Sequence, residues 1–193
     1  MRLVLASASP RRAEILRDAG IAFETCSVQV DESRRAGEAP EAMVARIAAS
    51  KARAAAALLA DTREHTIVVG ADTTVVLGDE IFEKPRDVAD ARRMLSALSG
   101  KTHRVLTGLC VLRLPGGDAR MAVESTNVTF TLLTGEEIEA YAASIEPLDK
   151  AGAYAIQGFA GRWIPRIEGC YFNVVGLPLA RLCAMLRELG WEE

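Results

Sequence analysis

Residues 3–20, LVLASASPRRAEILRDAG, constrain the fold most tightly, because an apolar run passes into a helix with almost no connecting loop. Leu3, Val4 and Leu5 predict a short strand, and Ala6-Ser7-Ala8 supplies small residues where a backbone can be approached closely. Ser9 suits a helix N-cap, Pro10 suits the first helical position, and Gly20 suits the closing turn. Two readings of the helix start follow. Free N–H groups, the hydroxyls of Ser7 and Ser9 and the guanidiniums of Arg11 and Arg12 can converge on an anion such as a phosphate. The same residues also describe a capped surface helix with two solvated arginines.

Beyond this unit, Ile21–Val30 reads as a weakly alternating strand that runs into Asp31-Glu32. A helix is predicted from about Pro40 to Leu59, with Val44, Ile47, Ala55 and Leu58 on one face and Lys51 on the same stripe. An unpaired buried ammonium is costly, so Lys51 either snorkels at the edge of the stripe or points into a polar cleft where an anion compensates it. Thr66–Gly70 is a continuous apolar strand that delivers Ala71-Asp72-Thr73 at its end. Thr74–Leu77, the turn Gly78-Asp79 and Glu80–Phe82 read as a hairpin, with Glu83-Lys84-Pro85 beyond it. Asp72 can act as an acid/base or metal-binding oxygen and Lys84 as a phosphate-neutralising cation; alternatively they are a turn residue and a surface charge.

Asp87 caps a helix through Leu98 with Ala91, Met94, Leu95 and Leu98 buried, and Ser99-Gly100 stops it. Thr102–Leu114 and Arg120–Leu133 form a long hairpin about Gly116-Gly117-Asp118. Thr134 and Glu137 match a capping box for a helix ending near Ser144, and Pro147 bars its continuation. The glycine-spaced loop from Asp149 to Gly158 is a candidate lid or recognition loop in which Gln157 either reads a base edge or is merely solvated. A strand at about Arg162–Ile167 and a helix at about Val175–Leu189 complete the chain. Strands, helices and hairpins together predict an α/β fold with a mixed, twisted central sheet flanked by helices, arranged as two lobes around a cleft.

Composition narrows the function. A net charge of −3 over 193 residues argues against a nucleic-acid polymer as partner, whereas a small anion needs only a local basic pocket. Half the residues are hydrophobic, but no apolar run reaches membrane-spanning length and no basic leader precedes an apolar stretch at Met1, so a cytoplasmic protein off the membrane is expected. Cys26, Cys110, Cys170 and Cys183 form no CxxC pair, which suggests reduced, structural thiols. With only His65 and His103 present, and both read as structural or solvated, the chemistry falls to carboxylates and lysines.

Eight blocks in order, LASASPRR (5–12), DE (31–32), SKA (50–52), GADTTVV (70–76), EKP (83–85), LSGKTHRVLTG (98–108), EPLDKAGAYAIQG (146–158) and NVVGLPL (173–179), make the chain resemble the Maf family of nucleotide pyrophosphatases nearly end to end. The resemblance implies one Maf-like domain over residues 1–193, a Maf/ITPase-like fold with a deep nucleotide-binding cleft, a divalent cation (Mg²⁺ or Mn²⁺), and hydrolysis of a nucleoside triphosphate to monophosphate and pyrophosphate. Arg11, Thr73 and Gln157 resemble the branch acting on dTTP and UTP, and the resemblance implies that they set substrate choice. It further implies Asp72 as catalytic base, Ser7, Arg12, Lys51 and Lys84 on the phosphates, and Glu32 with Asp72 on the metal. Ser50 and Cys170 depart from the pattern, standing where glutamate and serine are common. Alternatives are a nucleotide-binding regulator of cell division without turnover, and a pyrophosphatase directed at 7-methyl-GTP or inosine triphosphate. Modified pyrimidine nucleotides fit the same pocket chemistry, and a homodimer is left open.

Overall fold

The N-terminal apolar run forms β1 (Arg2–Ala6) and, three residues later, the chain enters α1 (Pro10–Asp18). A computed structural model describes residues 1–59, 65–144 and 146–192. In chain order there follow β2 (Glu24–Thr25), α2 (Pro40–Leu58), β3 (Thr66–Leu77), β4 (Glu80–Phe82), α3 (Val88–Leu98), β5 (Thr102–Leu114), β6 (Ala119–Thr129), α4 (Gly135–Ala142), β7 (Arg166–Glu168), α5 (Tyr171–Val175) and α6 (Leu179–Glu188). The sheet runs β2-β1-β3-β5-β6-β7, with β4 paired to β3. β1 is parallel to β2 and β3, while β4 and β7 are antiparallel to β3 and β6, so the sheet is mixed as expected.

The chain divides into two compact units. The first comprises 1–72, 107–124 and 176–193, and the second 73–106 and 125–175, so β3, β5 and β6 each supply residues to both. The first unit buries large aliphatic side chains such as Leu5, Leu16, Ile47 and Leu109, and one cluster of its core is built of small ones: Val4, Ala6, Val68 and Cys110 meet Ala48, Ala52 and Ala55 of α2. The core of the second is aromatic. Phe130, Tyr154 and Trp163 pack with Phe82, Met94, Leu95 and Leu98, and His103 lies edge-on to both Phe130 and Tyr154.

His103 is buried, its Nε2 is 2.8 Å from the Tyr154 hydroxyl, and burial pushes its pKa down to about 4. The folded chain therefore keeps the ring neutral where the unfolded chain, with an ordinary histidine value of about 6.5, already binds a proton. Between those values the unfolded state holds more protons, so stability falls as pH drops. Chemical denaturation at pH 7 and pH 5 should show a loss of about 2 kcal/mol from this group, absent in His103→Gln.

Several elements differ from the sequence expectation. Only Glu24–Thr25 of the predicted 21–30 strand pairs with β1, and residues 26–39 run as irregular chain held by side chains of α2. Val44, Ile47 and Ala55 of the predicted face of α2 are buried, whereas Leu58, the last residue of the helix, is 71% exposed. β3 is continuous through Ala71-Asp72-Thr73, so Asp72 sits within a strand and is not a turn residue. Residues 159–163 form a 3₁₀ turn, leaving a strand only at Arg166–Glu168. The last helix starts at Leu179, since Gly176 at φ 124° and Pro178 separate it from α5. Ser9 occupies the N-cap of α1, but its side chain makes no capping bond. The polar stretch 60–64 before His65 lies outside the described residues. Asp87, by contrast, accepts from Asp90 N–H, and Thr134 with Glu137 forms the full capping box.

Candidate active site

The site in the first unit begins with how closely α2 lies on the sheet. A Cβ at Gly70 would fall 2.1 Å from the Ala48 carbonyl oxygen and 2.7 Å from the Ala52 nitrogen. At Gly108 it would meet the Val44 oxygen at 2.3 Å. Two glycines on β3 and β5 thus let the alanine face of α2 touch sheet backbone. Lys51 stands beside Ala52 on this helix, and Asp72 stands two residues beyond Gly70 on β3. The Lys51 Nζ donates to Asp72 Oδ1 at 2.8 Å and lies 2.8 Å from Glu32 Oε1. The Lys51 side chain is 10% exposed and that of Asp72 14%, so the ammonium is compensated by two carboxylates and does not snorkel.

Glu32 comes from the irregular stretch before α2. Its neighbour Asp31 is spent on local structure, accepting from Ser33 N–H at 2.9 Å and Ser33 Oγ at 2.6 Å, bonds that hold its carboxyl below the ordinary range. Arg46 of α2 then fastens the stretch. Its Nη2 donates to Ser33 O at 2.9 Å and its Nη1 to Asp31 O at 3.4 Å, so one guanidinium holds the carbonyls on either side of Glu32. Arg46 is itself set by a two-toothed pair with Glu38, at 2.6 and 2.8 Å, which lowers the Glu38 carboxyl to about 2. Sequence reasoning missed both residues. The signal was available only as an arginine five positions before Lys51 on a helix otherwise rich in alanine.

Arg12 is the second buried cation. Its Nε donates to Gly176 O at 2.8 Å and its Nη1 to Ser7 Oγ at 3.0 Å, while Ser7 Oγ also accepts from Ser9 N–H at 3.2 Å. Ser7 therefore orients Arg12 at the start of α1. Burial lowers the Arg12 pKa; Asp72 and Glu32 oppose the shift and Arg11 adds to it, which places these charges in one electrostatic neighbourhood. The solvated-arginine reading fails for Arg12. Arg11 is half-buried on the same helix turn.

The structure thus brings Ser7, Arg12, Glu32, Lys51 and Asp72 together in the first unit. Thr73 follows Asp72 along β3 and is half-buried. Lys84 and Gln157 belong to the second unit and are both exposed. There, the Gly152 N–H donates to Glu83 O at 3.2 Å, so the segment bearing Lys84 is hydrogen-bonded to the loop that leads to Gln157.

Chemically, the first-unit cluster offers two carboxylates and two buried cations, a set suited to a polyanion and a hard metal together. Among the described residues no three His, Cys, Asp or Glu side chains form a metal cage. Mg²⁺ commonly takes one or two protein carboxylates and completes its shell with substrate phosphates and water, and Glu32 and Asp72, which here share the Lys51 ammonium, are the carboxylates of this cluster whose chemistry suits such a donor set.

The sequence matches the profile of the Maf-like protein family over residues 2–189. It is 52% identical over 192 residues to a protein of Anaeromyxobacter sp. (strain Fw109-5) named dTTP/UTP pyrophosphatase, covering 98% of this chain and 90% of that one. A protein of the same name from Koribacter versatilis (strain Ellin345) is 49% identical over 191 residues, covering 98% and 95%. Among solved structures, the Staphylococcus aureus Ham1 protein matches with a TM-score of 0.51 at 14% identity, covering 98% of this chain and 100% of that one, a likeness of fold alone.

Proposed function

The chain belongs to the Maf-like protein family, and from that premise we propose that it hydrolyses dTTP and UTP to the nucleoside monophosphate and pyrophosphate. The observation that carries this reading is the Lys51 ammonium buried between Asp72 and Glu32. A protein that only held triphosphates would be served by the cations; a near-buried carboxylate beside them supplies a proton acceptor. Asp72 orients and deprotonates the attacking water. Arg12, held by Ser7, and Lys51 neutralise the phosphoryl oxygens in the transition state, and Lys84 is assigned the same role from the family pattern. Glu32 and Asp72 would hold Mg²⁺ or Mn²⁺, which supplies further charge neutralisation and lowers the pKa of the attacking water. Arg11, Thr73 and Gln157 select the base, since guanidinium and amide donors match the carbonyl edge of uracil and thymine. Residues 1–193 work as one domain, because three strands supply residues to both compact units.

A steady-state panel of dTTP, UTP, CTP, ITP and 7-methyl-GTP with a pyrophosphate readout tests this. The expected result is a preference for dTTP and UTP with Mg²⁺ or Mn²⁺ and loss of turnover on chelation. Nucleotide binding without pyrophosphate release would leave a binding protein. A preference for the methylated purine would overturn the base assignment, and a full rate without metal would overturn the cation's place in the scheme.

A further inference from the structure

Gln157 is exposed, yet the chain around it is clamped from two sides within the second unit. The turn closes on itself through Gly158 N–H to Ala155 O at 3.1 Å, which leaves Gln157 at its apex. Tyr141, 4% exposed near the end of α4, accepts from Ala155 N–H at 3.2 Å and donates its hydroxyl proton to Glu146 Oε1 at 2.9 Å. The Glu146 carboxylate lies close against the far end of the turn. A Cβ on Gly158 would come within 1.9 Å of Oε1, and Oε2 is 3.5 Å from the Phe159 N–H, a longer and weaker contact. Phe159 in turn stacks on the Tyr141 ring with centroids 5.8 Å apart. Glu146 is anchored from its backbone, its carbonyl accepting from Lys150 Nζ at 2.6 Å.

We propose that Tyr141 and Glu146 form a clip that fixes the 155–158 turn and thereby positions the Gln157 amide for base discrimination. The clip bonds the residue two before Gln157 and packs against the residue one after it. Neither Tyr141 nor Glu146 has a role in the phosphate chemistry, and a buried tyrosine hydroxyl used to hold a loop amide is a directional constraint that hydrophobic packing alone does not give. An amide reading one carbonyl edge works only when its plane and distance are fixed, because misplacement by about 1 Å can cost up to about a hundredfold. This inference rests on the base-reading role given to Gln157 above.

The test compares UTP with CTP, which differ only at the base edge, and reads the ratio of their kcat/KM values. Tyr141→Phe and Glu146→Ala are expected to lower the UTP preference about tenfold, chiefly through the KM for UTP. Glu146→Gln, which keeps an acceptor for the tyrosine hydroxyl, should stay within about threefold of the parent. In a Gln157→Ala background, Tyr141→Phe should change the ratio no further, because both act through one contact. Independently of any turnover, amide hydrogen exchange at Ala155 should quicken by about tenfold or more in Tyr141→Phe without nucleotide. Unchanged exchange overturns the clip whatever the activity. Additive effects of Tyr141→Phe and Gln157→Ala, or a lost ratio in Gln157→Ala beside an intact one in Tyr141→Phe and Glu146→Ala, overturn it while leaving the role of Gln157 standing. An intact ratio in Gln157→Ala overturns that role and the clip's purpose with it. Should Tyr141→Phe fail to fold, Glu146→Ala carries the same expectations for the ratio, and exchange at Phe159 replaces that at Ala155.

Discussion

Replacing Asp72 by Asn is expected to lower kcat for dTTP by at least about a hundredfold while leaving the protein folded, because the amide cannot accept the proton that a general base must take. The substitution is nearly isosteric. It removes one of the two carboxylates on Lys51, but Glu32 still lies 2.8 Å from the same ammonium, so the buried cation is not left alone. The stability cost should be about 1–3 kcal/mol, enough to see as a lowered unfolding midpoint and too little to unfold the chain. The decisive comparison is kcat at saturating substrate alongside that midpoint. A kcat within a few-fold of the parent would take Asp72 out of the base role and leave it as a structural partner of Lys51.

Gly70→Ala should have the largest effect on the fold, through crowding rather than chemistry. The added methyl group would sit 2.1 Å from the Ala48 oxygen, 2.7 Å from the Ala52 nitrogen and 3.0 Å from the Ala52 Cβ. Two of these are backbone atoms of a helix, which no rotamer change can move aside. Either α2 shifts as a body or β3 buckles, and overpacking of this kind costs about 3 kcal/mol or more, a fall in Tm of about 10 °C for a chain of this size. Gly135→Ala is the control. It lies at the first position of α4, and its added methyl group would meet nothing within 4 Å, so its Tm should hold or rise slightly. Equal Tm values for the two variants, by calorimetry, would show that the close approach of α2 to β3 is not needed.

Legibility in the sequence followed the range of the interactions. Asp87–Leu98 and Thr134–Ala142 can be read because cap, first turn and apolar spacing all lie within a dozen residues. The irregular chain that follows β2 cannot. What holds residues 31–38 is the Arg46 guanidinium, whose carbonyl contacts reach back 13 and 15 positions. Leu58 shares its helical stripe with the buried Val44, Ile47 and Ala55, but it is the last residue of α2, and periodicity alone does not show where a helix ends. For the site, the residue types are visible in the family blocks, but the division of labour within them is not. Nothing in DE distinguishes Asp31, which closes a turn on Ser33, from Glu32, which reaches Lys51. Nothing in SPRR shows that Arg12 is buried on the Gly176 carbonyl. Gly70 reads as the end of a strand, whereas its lack of a side chain is what admits α2.

The double pairing of Lys51 also bears on when conformational freedom is lost. A lysine side chain forfeits about 1.5–2 kcal/mol of rotamer entropy when it is fixed. Here the chain of methylenes is buried and its ammonium is held by two carboxylates before any anion arrives, so that cost falls on folding and not on each binding event. On the proposed reading, an arriving phosphate group would meet a cation whose position is already set and would only have to share it.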